Sequence, residues 1–157
     1  MIAIREATSA DVDIVYELIS AIAKHHGQEQ HVITDRSELL ISGFGESPKF
    51  DVLLAEAEGE VAGFLSYTWN YSIWLGSRYM NIDDVFVRQE FRGQKIGEAL
   101  MYKAQRVCRT HGISRIRWEV QQSNHSAIKF YERLGATLDT KGVFRWDEVS
   151  TTANTNN

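Results

Sequence analysis

Residues 81–97 read NIDDVFVRQEFRGQKIG, and this stretch is the main basis for predicting the fold. Its first half is an apolar run, interrupted by the adjacent carboxylates Asp83 and Asp84, and it predicts a strand. Its second half is a short basic loop containing glycine, and residues 98–111 behind it have the apolar spacing of a helix. This order leaves backbone N–H groups free at a helix N-terminus, which favours a phosphate or pyrophosphate. The alternative interpretation is a surface loop with two basic residues.

Length and composition restrict the class of protein. A chain of 157 residues predicts one domain, over residues 1–149, followed by a polar mobile tail at 150–157. The chain has no long apolar run and no secretory signal, so no membrane partner is expected. A single cysteine, Cys108, excludes an internal disulfide and suits a reducing compartment, so a cytoplasmic location is expected. The net charge of −4 argues against nucleic acid as the main partner.

The flanking segments predict an alternation of strands and helices. Caps at Thr8 or Ser9, at Thr34, and at Ser123 or Asn124 predict three helices besides the one behind the basic loop. Two strands joined at residues 57–60 read as a hairpin, and a connection is predicted over 70–78. The predicted strands are 2–6, 52–56, 61–69, 80–87, 116–120 and 143–146. This order predicts a mixed α/β fold.

Residues 24–33 are polar and contain three of the five histidines. His25 and His26 are adjacent and so cannot share one helix face, and no carboxylate or cysteine lies at zinc-like spacing. No metal is therefore expected here. A solvated loop is the default interpretation, and a loop that faces the substrate is the alternative.

The basic loop, RGQKIG at 92–97 after VFVR, resembles the acetyl-CoA loop of the GNAT N-acetyltransferase superfamily. The family pattern is Arg/Gln-x-x-Gly-x-Gly/Ala, and Lys95 stands where the middle glycine lies. Further motifs are GFGE at 43–46, Trp74-x-Gly76, IDDVFV at 82–87 and the pattern that runs from Asn124 to Ala136. As a set they resemble the spermidine/spermine (diamine) acetyltransferases and the thialysine acetyltransferases, over residues 2–149.

The resemblance implies a GNAT fold, with a mixed central sheet of about six to seven strands flanked by about four helices. It implies acetyl-CoA as the co-substrate and no metal. It also implies a homodimer, because relatives pair through their sheets and helices. The residues that it assigns to acetyl-CoA are Val85, Phe86, Val87, Arg92, Gly93, Gln94, Lys95, Ile96, Gly97, Glu98, Asn124, Ser126, Ala127 and Tyr131.

The resemblance also assigns the catalytic groups. Tyr131 is the acid that protonates the departing thiolate, and Asp83 binds the substrate ammonium or accepts its proton through water. Two adjacent residues of a regular strand point to opposite faces, so one of Asp83 and Asp84 is expected to face inward. The alternatives are core packing for Tyr131, and a strand end or bulge that leaves both aspartates in water.

The implied reaction is transfer of the acetyl group to a primary amine of a small cationic substrate, by direct attack in a ternary complex. The expected substrate contacts are His25, His26, Glu29, Trp74 and Asp83. The polyamine-type relatives carry more acidic residues than this chain, so a diamine or a basic amino acid is at least as well supported as a long polyamine. A protein or peptide N-acetyltransferase and a non-catalytic acyl-CoA-binding protein are the alternative functions.

Overall fold

The computed structural model describes residues 1–149, so the predicted tail at 150–157 lies outside the described residues. The chain divides into two compact units, Met1–Glu119 and a second that begins at Val120. The expectation of one domain over 1–149 stays a prediction. None of the helices in the described part of the chain is long and apolar enough to cross a membrane.

The first unit is built on one sheet. Three helices accompany it: α1 (Val12–His25), α2 (Arg36–Phe44) and α3 (Ile96–Thr110). The strands are β1 (Ile2–Glu6), β2 (Asp51–Ala57), β3 (Glu60–Ser72), β4 (Ser77–Val87) and β5 (Ile116–Arg117). They lie in the sheet in chain order. Every pair is antiparallel except β4 and β5, which run parallel. The second unit contains one helix, α4 (His125–Arg133).

Two hairpins form the centre of the sheet. The predicted turn between β2 and β3 is confirmed, with positive φ at both central residues, 54° at Glu58 and 79° at Gly59. These angles match the turn that best follows the twist of an antiparallel pair. The second hairpin is longer than predicted, because β3 continues to Ser72 and β4 begins at Ser77. The connection therefore shrinks from residues 70–78 to residues 73–76.

The sheet is covered on both faces. Phe64 packs with α1 residues Val15 and Leu18 on one face. On the other face, the Sγ of Cys108 in α3 lies 4.0 Å from the Sδ of Met80. Cys108 is buried and so belongs to the core. Met80 lies opposite Trp69, an odd-numbered residue of β3, whereas Phe64 is an even-numbered residue of β3. Successive residues of a strand point to opposite faces, so Met80 and Phe64 lie on opposite faces of the sheet.

The fold class is confirmed, but the strand count of six to seven is wrong. The sheet in the described residues has five strands, and the predicted strand at 116–120 pairs only through Ile116 and Arg117. Residues 143–146 are not a strand, and Val143, Phe144 and Trp146 are exposed. Their apolar pattern predicted a strand, but a strand also needs a partner, and no described strand pairs with these residues.

An ion-pair network joins the first strand to the start of α1. The guanidinium of Arg5 donates two hydrogen bonds to Asp11, of 2.8 and 2.9 Å, and one of 2.7 Å to Glu56. Asp11 also accepts from the backbone N–H of Thr8 at 2.7 Å, and Thr8 is the N-cap of a single 3₁₀ turn, Ser9–Asp11, that precedes α1. The N-cap of α1 itself is Asp11 and not the predicted Thr8 or Ser9. The hydrogen bonds from Arg5 lower the pKa of Asp11 to about 2.

Replacing Asp11 should therefore weaken the fold in a pH-dependent way. The folded pKa lies below the unfolded value, so the contribution is full above about pH 4 and is lost as pH falls towards 2. With allowance for the half-exposed Arg5, Asp11→Ala should cost about 1–2 kcal/mol at pH 7 by urea unfolding. The control is Asp13→Ala, whose pair with Arg36 is exposed and should matter by only a few tenths of a kcal/mol. Equal losses in the two variants would contradict the assignment.

Candidate active site

A β-bulge lies at the centre of the predicted strand. In the pairing of β3 with β4, Ser66 lies opposite Asp84 and Tyr67 lies opposite Ile82, so Asp83 has no partner. One extra residue on one strand bends it, increases its twist and shifts the side chains that follow it. The alternation on which the sequence prediction relied therefore stops at Asp83.

The bulge places both carboxylates on the same face of the sheet. Asp84 lies opposite Ser66, and its Oδ2 accepts a hydrogen bond of 2.8 Å from the Ser66 hydroxyl. Asp83 accepts one of 3.0 Å from the Nδ2 of Asn81, which lies opposite Thr68. Ser66 and Thr68 are two residues apart and share a face, so their partners share it too. The prediction that Asp83 and Asp84 point to opposite faces is wrong.

The two carboxylates differ in their surroundings. Asp83 is exposed and Asp84 is half-buried, so the alternative of a bulge is correct but the idea that it leaves both in water is not. Desolvation raises the pKa of Asp83, and the charge of Asp84 raises it further, whereas the hydrogen bond from Asn81 lowers it. A cation placed beside this pair would relieve both of the unfavourable contributions.

The basic loop keeps the backbone that a glycine would adopt. Gly93 has φ of 82°, and Lys95 has φ of 63° and ψ of 25°, the left-handed conformation that is costly for residues with a Cβ. Lys95 therefore adopts a backbone conformation that favours glycine, the residue that the family pattern has at this position. The Nε of Arg92 donates to the carbonyl of Val87 at 3.1 Å, which ties the loop to the end of β4.

The N-terminus of α3 is open. The first backbone bond of the helix runs from Ala99 to the carbonyl of Lys95, so the N–H groups of residues 96–98 have no acceptor within the helix. Lys95 is the N-cap residue, and no side-chain hydrogen bond caps the helix in the described chain. Free N–H groups and a helix dipole are what an anion needs, so this geometry is compatible with the anion site predicted for the loop and first turn, which stays a prediction.

The edge of β4 is also open beside this loop. On one side β4 pairs with β3 as far as Val87, but on the other it pairs with β5 only at Met80 and Asn81. Residues 82–87 therefore have an edge that no described strand of the first unit occupies. That edge includes Val85, Phe86 and Val87, which the sequence assigned to the thioester arm of acetyl-CoA. An extended ligand can pair with such an edge through main-chain hydrogen bonds.

The end of α1 lies against this part of β4. The ring centroid of His25 is 6.1 Å from that of Phe86, and the ring of His26 is 5.3 Å from His25. The Arg92 guanidinium lies 5.9 Å from the Phe86 ring. His25 is the last residue of α1 rather than part of the predicted loop, and exposed Glu29 follows in a separate single-turn helix, Glu29–His31.

Trp74 lies away from the carboxylates. It is almost fully exposed in the connection between β3 and β4, at the far end of the hairpin from the bulge. The strand residues between Ser77 and Asp83 span roughly 20 Å at the rise of an extended chain. The structure therefore does not bring Trp74 next to Asp83 within one chain, and the prediction that both contact the substrate stays a prediction.

The remaining predicted residues lie in the second unit. Asn124 is confirmed as the cap of α4, because its Oδ1 accepts from the backbone N–H of Ala127 at 3.3 Å. The hydroxyl of Ser126 donates to the same oxygen at 3.3 Å. Tyr131 is half-buried, with its ring centroid 5.2 Å from Phe130. Burial raises the pKa of Tyr131, so its phenol carries a proton at neutral pH, as an acid requires.

Sequence reasoning missed Ser66 and Asn81, the two side chains that bond the carboxylates. A serine inside the apolar run of β3 was the available signal, since a buried hydroxyl requires a partner. In residues 1–149, no group of three His, Cys, Asp or Glu side chains has a geometry that could hold a metal ion.

Comparison with known proteins agrees with this arrangement. The model of the Acetyltransferase (GNAT) family matches residues 13–136. The chain belongs to this family, and so it is an acetyltransferase by class.

Individual relatives resemble the chain over most of its length. It is 35% identical over 141 residues to the thialysine N-epsilon-acetyltransferase of Bos taurus, covering 85% of this chain and 82% of that protein. It is 29% identical to a putative [ribosomal protein bS18]-alanine N-acetyltransferase of Bacillus subtilis, covering 85% and 79%. An aminoglycoside acetyltransferase from an uncultured soil metagenomic sample superposes with a TM-score of 0.80. That structure covers 95% of this chain and 97% of its own at 17% identity, so it supports the fold alone.

The strained angle at Lys95 gives a test of the loop. Lys95→Gly should raise the free energy of unfolding by up to about 1 kcal/mol, because glycine adopts positive φ without the clash of a Cβ. Lys95→Ala is the matched control, since it removes the same charge but keeps the Cβ, and it should give no such gain. Urea unfolding of the three proteins measures the difference. Equal stability of the two variants would show that Lys95 is unstrained.

Proposed function

We propose that this protein transfers the acetyl group of acetyl-CoA to a primary amine of a small cationic substrate, by direct attack within a ternary complex. The observation that carries the proposal is the open edge of β4 at residues 82–87, beside the uncapped N-terminus of α3. A chain-like ligand with a phosphate group at one end fits these two features together. Acetyl-CoA has this form, and membership of the GNAT family supports it as the donor.

In this proposal the pyrophosphate binds the N–H groups of the loop and first turn, with Arg92 and Lys95 adding positive charge. The contribution of Glu98 is its backbone N–H, because its carboxylate would repel the phosphate. The pantetheine arm pairs with the edge of β4, where a backbone N–H of Val85, Phe86 or Val87 donates to the thioester oxygen. Holding the thioester there makes the attack a local event rather than a collision.

The amine approaches the carboxylate side of the same strand. An alkyl ammonium has an unperturbed pKa of about 10.4, so it arrives charged and must lose a proton before it attacks. Asp83 attracts the ammonium and accepts its proton through a water molecule. The neutral amine then forms the C–N bond, the C–S bond breaks, and the CoA thiolate leaves with a proton that we assign to Tyr131.

The substrate class that we favour is a basic amino acid acetylated on its side chain, or a diamine of similar size. The relative that acts on thialysine supports this class, since its name specifies the side-chain nitrogen. The first unit offers two adjacent carboxylates at the bulge, which suits one ammonium better than a long polycation. A homodimer remains a proposal that rests on the resemblance.

A second candidate is acetylation of a protein N-terminus. The Bacillus subtilis relative supports it, because its name specifies an alanine of a ribosomal protein. The two candidates differ in what they need at the acceptor. The small-molecule reaction needs a charged pocket, whereas the protein reaction needs a groove for several residues. The third candidate, a non-catalytic acyl-CoA-binding protein, fails if any amine causes steady release of CoA.

The test is release of the CoA thiol with a panel of basic amino acids, diamines, polyamines and alanine-terminated peptides. Basic amino acids or diamines should give the highest kcat/KM. Asp83→Asn should raise the amine KM about tenfold or more, because a charge-assisted contact is lost, and leave acetyl-CoA affinity unchanged. Glu60→Gln, which removes an exposed charge at the start of β3, is the matched control. A higher kcat/KM with the alanine-terminated peptides would support the second candidate instead.

Tyr131→Phe separates chemistry from binding. The proton on the phenol is needed mainly as the thiolate leaves, so kcat should fall about a hundredfold while the amine KM changes little. Single-turnover measurements give the rate of the chemical step directly. A chemical step as fast as that of the unaltered protein would remove Tyr131 from the reaction.

A further inference from the structure

Ser66 is an unusual residue for its place in β3. It lies between Leu65 and Tyr67 in the middle of the sheet, and all three are buried. Among the described residues it is, besides the hydroxyl-bearing Tyr67, a buried side chain with a hydroxyl, and 8% of its surface is exposed. An alanine or valine would fill such a position without any polar atom to satisfy. The hydroxyl therefore needs a reason beyond packing.

The hydrogen bond of Ser66 supplies that reason. Its Oγ donates to the Oδ2 of Asp84 at 2.8 Å, a length typical of a hydroxyl bonded to an oxygen acceptor. The two residues lie directly opposite each other in the β3–β4 pairing. A carboxylate that accepts from a buried donor on a central strand has one preferred position. Without that donor, Asp84 would be free to turn towards solvent.

The position of Asp84 matters because of the bulge. The extra residue brings Asp83 onto the same face of the sheet, so the two carboxylates repel each other where regular pairing would have separated them. Asp83 has its own restraint, the hydrogen bond from Asn81. Each carboxylate of the pair is thus held by a neutral donor, and neither forms an ion pair with a side chain among the described residues.

We propose that Ser66 is a positioning residue: its hydroxyl fixes the Asp84 carboxylate beside Asp83, so that the two together bind the ammonium of the acetyl acceptor. The inference rests on the proposed function and deepens it, because it assigns the cationic group to a pair of carboxylates rather than to Asp83 alone. A single ammonium that contacts both oxygens offsets the repulsion and replaces the water that each carboxylate loses.

The electrostatics of the surrounding groups support the pairing. The field of Asp84 acts on Asp83 and raises its pKa, in addition to desolvation. His25 at the end of α1 and Arg92 from the loop contact the ring of Phe86, two residues after Asp84. Among the described residues, Asp84 is the charged group whose field accounts for the effect on Asp83. Desolvation is the largest cause of the raised pKa of Asp83, and the charge of Asp84 adds to it, so the position of Asp84 contributes to that pKa.

The competing account is that Ser66 only fills space in the sheet. The two accounts differ in the effect of removing the hydroxyl. If Ser66 only packs, Ser66→Ala changes stability and nothing else. If Ser66 holds Asp84, Ser66→Ala lets that carboxylate move away, and both the pKa of Asp83 and the binding of the amine must change.

The experiment combines a titration with kinetics. Carbon-13 NMR of the side-chain carboxyls gives the pKa of Asp83 in the unaltered protein and in Ser66→Ala, Ser66→Thr, Asp84→Asn and Asn81→Ala. Ser66→Ala and Asp84→Asn should lower that pKa, Ser66→Thr should preserve it, and Asn81→Ala should raise it, because the bond from Asn81 favours the ionised form. The KM for the best amine should rise about two- to tenfold in Ser66→Ala, with kcat less affected, and recover in Ser66→Thr.

The outcomes separate this inference from the proposed function. An unchanged Asp83 pKa and an unchanged KM in a folded Ser66→Ala protein would overturn the positioning role. A lowered pKa with an unchanged KM would overturn the shared binding of the ammonium. If the unaltered protein acetylates no amine, the proposed function fails, and the titration still decides whether Ser66 positions Asp84. Circular dichroism and urea unfolding establish that each variant is folded.

Discussion

The bulge at Asp83 is the constraint on which the rest of the site depends. One extra residue in β4 breaks the alternation of side chains and increases the twist of the strand. The change of face brings Asp83 and Asp84 together on the face of the sheet that carries Ser66 and Thr68. The loss of pairing beyond Asn81 leaves the second half of β4 open on its other edge. A regular strand would have separated the charges onto opposite faces.

The open half of β4 thus lies between two sites of opposite polarity. At its start, Asp83 and Asp84 concentrate negative charge that attracts a cation. At its end, Arg92, Lys95 and the free N–H groups of α3 attract an anion. Residues 85–87, which lie between them, carry no charge. In the reaction that we propose, the two sites draw the cationic acceptor and the phosphate-carrying donor to opposite ends of one strand.

Sequence reasoning predicted local features well and the register poorly. The β2–β3 turn, the cap at Asn124 and the helix behind the basic loop follow from short-range rules, since each depends on residues within one turn. The bulge does not, because an inserted residue leaves no mark on composition or periodicity and only becomes visible when the partner strand is known. The same limit applies to Trp74, whose distance from Asp83 depends on where the hairpin turns. The strand predicted at 143–146 was wrong for a related reason, because an apolar pattern does not show whether a neighbouring strand is available for pairing.

Asp11 and Asp83 show how this protein uses carboxylates in opposite ways. Arg5 bonds Asp11 and lowers its pKa, so the ionised group adds stability above about pH 4. Asp83 has a raised pKa, so the folded state binds its proton more tightly than the unfolded chain, and stability falls as pH rises through that pKa. Asp11 has a cation, Arg5, at hydrogen-bonding distance. Ionised Asp83 has no such cation among the described side chains. In the reaction that we propose the substrate ammonium takes that place, and the free energy that the unpaired carboxylates cost the fold is recovered as affinity for the amine.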